Sequence, residues 1–166
     1  MTAAAMADAA AVDRGVRAVA GGEAVEPGTG PALQFTQAGF AGVTIDGPHG
    51  GIRNVTKGDE QFLIFNVSNQ TALRDNLRQS AAELALLPDV LAKLKIDTSD
   101  CPGASSETTF DISKLALMGH SMGATIAPLT LAVEPRYRAA ILSGAGGSWI
   151  ENIVHKQSPI KVKPLV

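Results

Sequence analysis

The run Lys114-Leu-Ala-Leu-Met-Gly-His-Ser-Met-Gly-Ala-Thr125 decides how the rest of the chain is read. Leu115 to Met118 is an apolar stretch suited to a buried strand, and it breaks at once into Gly119-His120-Ser121-Met122-Gly123. Small and apolar residues suited to a helix follow. A serine perched on a tight strand-to-helix turn needs neighbours without side chains, because the turn strains the backbone and crowds the adjacent chain. Its hydroxyl is then exposed at the carboxyl edge of a sheet. The N–H of Met122 points towards the place where a tetrahedral oxyanion forms, and the positive end of the helix adds to it. The competing reading is a structural glycine-rich turn, and the apolar strand and helix on either side favour the elbow over it.

This Gly-x-Ser-x-Gly in its strand–helix setting resembles the nucleophile elbow of the α/β-hydrolase superfamily, and within it the bacterial lipase/esterase-like members. The resemblance covers most of residues 35–166 and is densest around the elbow. The helix-forming segment from Asn69 to Gln79 is also similar to the helix that precedes the elbow strand in lipase-like relatives. The resemblance implies a serine hydrolase that cleaves carboxylic esters, of small molecules or lipids, through an acyl-Ser121 intermediate and without a cofactor. A peptidase of the prolyl-oligopeptidase type ranks below it, because the upstream helix and the segment after Gly144 look more lipase-like.

A serine hydroxyl is a poor nucleophile until a histidine takes its proton and a carboxylate orients that histidine. The superfamily orders these groups nucleophile, acid, histidine along the chain. After Ser121 the sequence offers one histidine, His155, and two acids, Glu134 and Glu151. Glu134 closes the helix behind the serine and is expected to point away from the site. Glu151 follows the strand after the elbow strand, and His155 lies one helical turn further on, so the two are neighbours on a helix. Relatives place a His-Gly at the end of the third strand to complete the oxyanion hole. Ala20-Gly21-Gly22 stands in that position here, which makes the Gly21 and Gly22 N–H groups the candidate second donors. The segment Trp149 to Val166 looks like the start of a lid excursion. On that likeness the remaining strands and the family's usual acid and histidine are not encoded here. A catalytically incomplete domain, serving as a fold remnant or interaction module, is therefore the reading from a different class.

Composition bounds the rest. The chain has 166 residues, 45% of them hydrophobic, and a formal net charge of −2. That is one globular domain, short for a complete α/β hydrolase, with no electrostatic case for nucleic acid. With 4% aromatic residues, the core must be built from Leu, Val, Ile and Ala. The single cysteine, Cys101, excludes an internal disulfide and sits in a polar setting that gives it no reason to be reactive. No Cys/His spacing suits zinc, and no apolar run approaches a membrane span. The alanine-rich start carries Asp8, Asp13 and Arg14 and no leading positive region, which argues against a secretory signal and for the cytoplasm.

Taken in order, residues 1–15 read as a low-complexity segment, a frayed helix or unordered; residues 16–148 as the hydrolase core; and residues 149–166 as the lid-like excursion or tail. Val16 to Ala20 is expected to be a strand, Pro31 to Ala38 a helix closed by Gly39, and Phe40 to Ile45 a strand. Together they make a right-handed βαβ unit. The run Asp46-Gly47-Pro48-His49-Gly50-Gly51 resembles the loop after the fourth strand of the superfamily. There Asp46 caps the turn and His49 ties down the loop, in preference to catalytic roles. Residues 53–65 read as an irregular excursion. Asn69 to Leu87 is the clearest helix, with Asn69 or Thr71 as N-cap, Leu73, Leu77, Leu84, Leu87, Leu91 and Leu94 as a core stripe, and Pro88 as a kink or restart. Residues 96–110 read as a polar loop, Gly123 to Val133 as a helix bent at Pro128, and Ala139 to Ser143 as the next parallel strand. Apolar strands alternating with helices predict an α/β fold, a partial α/β-hydrolase fold with a mostly parallel sheet and helices on both faces. A sheet with so few strands leaves open edges, so self-association is expected.

Overall fold

The computed structural model describes residues 3–8, 30–146, 148–157 and 161–165. Its first element departs from expectation. The alanine-rich opening forms a strand, β1 (Ala3–Asp8), in place of a frayed helix or an unordered segment. Next come α1 (Gly30–Gln37), β2 (Phe40–Thr44), α2 (Glu60–Ile64) and α3 (Gln70–Leu91). They are followed by β3 (Lys95–Asp97), β4 (Glu107–Thr109), β5 (Asp111–His120), α4 (Met122–Leu131), β6 (Tyr137–Ser143) and α5 (Trp149–His155).

The main sheet has the order β2-β1-β5-β6. Ala4 lies opposite Thr44 on one side and Met118 on the other, with both pairings antiparallel. Alanine's helix preference is worth only tenths of a kcal/mol per residue over ordinary residues. A strand in the middle of a sheet pairs its backbone along both edges, and that context decides. The expected strand at Val16 to Ala20, and Gly21 and Gly22 with it, lie outside the described residues. The right-handed βαβ unit expected from Val16 to Ile45 therefore rests on residues outside those described, and the described neighbour of β2 is the antiparallel β1. The mostly parallel sheet is corrected: β5 and β6 are the parallel pair, and the class is mixed α/β. Two antiparallel steps restore direction, so β2, β5 and β6 still run the same way and end on one edge.

Successive strand residues face opposite sides of a sheet. Leu115, Ala116 and Leu117 are all buried, so both faces of β5 are covered. α4 packs on β1, β5 and β6, and α3 packs on α4. Asn69 caps α3 by accepting the Ala72 N–H at 3.0 Å, as its residue type favours. Leu77, Leu84, Leu87 and Leu91 form the buried stripe, Leu73 packs at its margin, and Leu94, beyond the helix, is exposed.

α3 runs through Pro88 without ending there. A proline has no N–H for the carbonyl four residues back. That carbonyl belongs to Leu84, and it accepts the Tyr137 hydroxyl at 2.7 Å, a bond that ties α3 to the start of β6. Tyr137→Phe should therefore cost about 1–3 kcal/mol, the penalty for a buried polar group left without its partner, measured by urea unfolding. Burial also raises the Tyr137 pKa above its ordinary value. The folded state favours the neutral phenol, so this contribution is intact below about pH 10 and is lost as pH rises further. The phenylalanine variant should show a flatter alkaline limb in stability against pH.

The expected polar loop at residues 96–110 contains an antiparallel hairpin, β3 with β4. Thr98 and Thr108 are buried and their hydroxyls meet at 3.0 Å, while Lys95 pairs with Glu107 at 2.7 Å. Its inner side is Ile96 opposite Thr108, with Thr98 beyond, so one apolar residue in three-residue strands leaves no hydrophobic alternation to announce it. The excursion after β2 is short helical turns, Gly51–Arg53 and α2. β6 ends the sheet. After buried Tyr137 every residue from Arg138 to Ser143 is exposed, including Ile141 at 45% and Leu142 at 40%. Among the described residues no helix is long and apolar enough to cross a membrane.

Candidate active site

Ser121 occupies the junction between β5 and α4 with φ 53° and ψ −113°. A non-glycine residue there is held against a cost of roughly 1–3 kcal/mol, which persists only when the surroundings over-determine it. Several contacts do so. The Ser121 N–H donates to the Ser143 carbonyl at 2.8 Å, and the Ser121 carbonyl accepts the Ala124 N–H at 3.0 Å. Gly119, two residues earlier, lies against the first turn of α4: a Cβ placed on it would be 2.5 Å from the Gly123 carbonyl carbon and 2.8 Å from the Ala124 nitrogen. The first glycine of the motif is therefore required by contact. The Ser121 side chain makes no capping bond to α4, and the residue is exposed. Its hydroxyl is thus presented at the carboxyl edge of the sheet. Met122 follows with a buried side chain, and its N–H belongs to the first helical turn, whose amides have no intrahelical acceptor.

Because β2, β5 and β6 end together, the segments that follow them open on the edge that carries Ser121. This edge receives Asp46 and His49 after β2, His120 beside the serine, and Glu151 and His155 on α5 after β6. Ligand sites of open α/β sheets lie at such an edge, and His120 stands on it directly beside Ser121, with His49 and His155 in segments that follow β2 and β6. No family model, curated protein or solved structure matches the chain.

Glu151 and His155 meet, with Glu151 Oε2 3.3 Å from His155 Nε2. Both side chains are about 70% exposed, and among the described residues neither bonds to Ser121. Ser148 caps their helix by accepting the Glu151 N–H at 3.4 Å. The helical spacing thus brings Glu151 and His155 together as expected, while among the described residues no hydrogen bond joins His155 to Ser121. Glu134 is buried beyond the far end of α4 and forked onto Arg136, which holds its carboxyl below the usual range; it has no part at this edge. The candidate oxyanion donors Gly21 and Gly22 lie outside the described residues.

The loop after β2 is built as a brace. The Asp46 carboxylate accepts the Ile52 N–H at 3.2 Å and the Asp46 carbonyl accepts from Arg53 at 2.8 Å. Arg53 also forks onto Glu83 of α3 at 2.6 and 2.8 Å, and Glu60 accepts the Gly51 N–H at 2.8 Å. Hydrogen bonding to Arg53 holds the Glu83 carboxyl below its usual range. These bonds favour the turn-capping role read for Asp46. His49 adopts a left-handed conformation, φ 63°. Among the described residues no cluster of three His, Cys, Asp or Glu side chains could hold a metal ion.

One residue that sequence reading passed over belongs to the site. Ser143 ends β6, accepts the Ser121 N–H on its carbonyl, and places its Oγ 3.0 Å from His120 Nδ1. A serine at a strand end before a glycine is a common pattern, and its partnership follows only from the parallel register that sets Ser143 beside His120.

Proposed function

We propose that the chain is a serine hydrolase of the lipase/esterase type that cleaves carboxylic esters through an acyl-Ser121 intermediate. The observation that carries this reading is the left-handed, exposed Ser121 between β5 and α4, a backbone state that costs stability while its side chain caps nothing. The oxyanion would be met by the Met122 N–H at the positive end of α4. Glu151 would orient His155, whose ring would take the serine proton. For that step α5 must carry the imidazole within hydrogen-bond reach of Ser121, since geometry precedes pKa in general-base catalysis. The test is hydrolysis of a short-chain nitrophenyl ester by the protein and by Ser121→Ala; equal rates would sink the reading.

A second reading, an incomplete domain acting as an interaction module, is favoured by one feature. Among the described residues β6 lies at the sheet edge with Ala139, Ala140, Ile141 and Leu142 exposed on both faces, an apolar strand with no pairing strand on its outer side. Self-association through this edge is the expected consequence under either reading. Light scattering should find dimers or larger species at micromolar concentration, and Ile141→Lys should shift them towards monomer. A monodisperse monomer from the unmodified chain refutes the expectation.

A further inference from the structure

On its β6 side the strained elbow is held by Ser143. His120 and Ser121 are consecutive, and Ser143 engages both: its carbonyl takes the Ser121 N–H at 2.8 Å, and its hydroxyl lies 3.0 Å from His120 Nδ1. The next residue, Gly144, has φ 68° and also lies against Ser121. We propose that Ser143 is a positioning residue for the nucleophile, acting through the His120 ring and the Ser121 amide. This rests on the reading of Ser121 as the nucleophile.

The motif's own contacts, Gly119 against Gly123 and the Ala124 N–H on the Ser121 carbonyl, fix the side of the elbow that faces α4. On the other side lies β6, which contributes little burial: residues 138 to 143 are all exposed. A backbone bond to an exposed strand end opens easily unless a second bond closes with it. The Ser143 hydroxyl supplies that second bond, and it also fixes the imidazole beside Ser121 in one orientation. Whichever partner donates between Oγ and Nδ1, the bond sets which ring nitrogen carries the proton when the histidine is neutral. Ser143 thus defines both the backbone of the nucleophile and the face that His120 offers to a substrate at the same edge.

The experiment compares the unmodified chain with Ser143→Ala, which deletes the hydroxyl and keeps the carbonyl, and Ser143→Thr, which keeps both and suits a strand. Three quantities are read: the rate at which a fluorophosphonate labels Ser121, hydrogen exchange of the Ser121 amide, and the 15N shifts of the His120 ring. Ser143→Ala should slow labelling and speed exchange, each by about three- to tenfold, the range of one net hydrogen bond. It should also move the Nδ1 resonance, and Ser143→Thr should restore all three. An unchanged ring resonance would show that the hydroxyl does not hold the imidazole, while a fold-supporting bond alone would leave the labelling rate unchanged. Equal labelling of the unmodified chain and Ser143→Ala overturns the positioning role, whatever the exchange shows. If the unmodified chain is not labelled at all, the nucleophile reading fails by itself, and the anchor stands or falls on the exchange and ring measurements.

Discussion

Ser121→Ala should lower ester hydrolysis by about 10³-fold or more and abolish labelling by a fluorophosphonate. In serine hydrolases, loss of the nucleophile removes the acyl-enzyme route and leaves only what binding and the oxyanion donors contribute. The variant suits the purpose because it should cost the fold little. The Ser121 side chain caps nothing and the residue is exposed, so no buried partner is orphaned. Alanine meets the same penalty as serine at φ 53°, so the backbone strain does not separate the two proteins. Circular dichroism and the unfolding midpoint should therefore match the parent, leaving the lost hydroxyl as the difference. If hydrolysis is present and the alanine variant retains it, the reaction occurs elsewhere. If neither protein reacts with ester or probe, the incomplete-domain reading gains, and the gap between the Glu151–His155 pair and Ser121 is its physical reason.

The parts of this architecture that were legible in the sequence are those whose information is local. The elbow is one: strand, glycine, serine, glycine and helix follow in order, and each residue type answers a demand of the turn itself. α3 is another, because Asn69 and the leucines at 77, 84, 87 and 91 carry its cap and buried face within one segment. The i,i+4 meeting of Glu151 and His155 is fixed by helical spacing alone. What stayed hidden depends on distant partners. Nothing in residues 3–8 marks a strand, since alanines favour helix until β2 and β5 offer edges on both sides. The passage of α3 through Pro88 depends on Tyr137, far along the chain, taking the carbonyl that proline frees. Ser143 joins the site only because the β5–β6 register places it beside His120. The β3–β4 hairpin buries threonines, a pattern that composition reads as loop.

Gly119→Ala should be the most damaging single-methyl change tested in this region. The new Cβ would stand 2.5 Å from the Gly123 carbonyl carbon and 2.8 Å from the Ala124 nitrogen, distances at which something must move. Both atoms are backbone, so no rotamer change relieves the clash. α4 itself would have to withdraw from β5, and α4 carries Ala124, Ile126 and Ala127 into the core. Overpacking commonly costs 1–3 kcal/mol where side chains can adjust; with backbone on both sides of the contact we expect about 3 kcal/mol or more by urea unfolding. Gly144→Ala is the informative contrast. Its Cβ would be 3.7 Å from the Ser121 nitrogen, ordinary contact, and its cost comes from φ 68° alone, about 1–2 kcal/mol. The order of the two therefore separates the demands on the elbow. A larger loss for Gly119→Ala means that close approach of β5 and α4 sets the turn. Equal losses would mean that backbone conformation dominates and the contact relaxes, and the crowding assigned to the first glycine of the motif would have to be withdrawn.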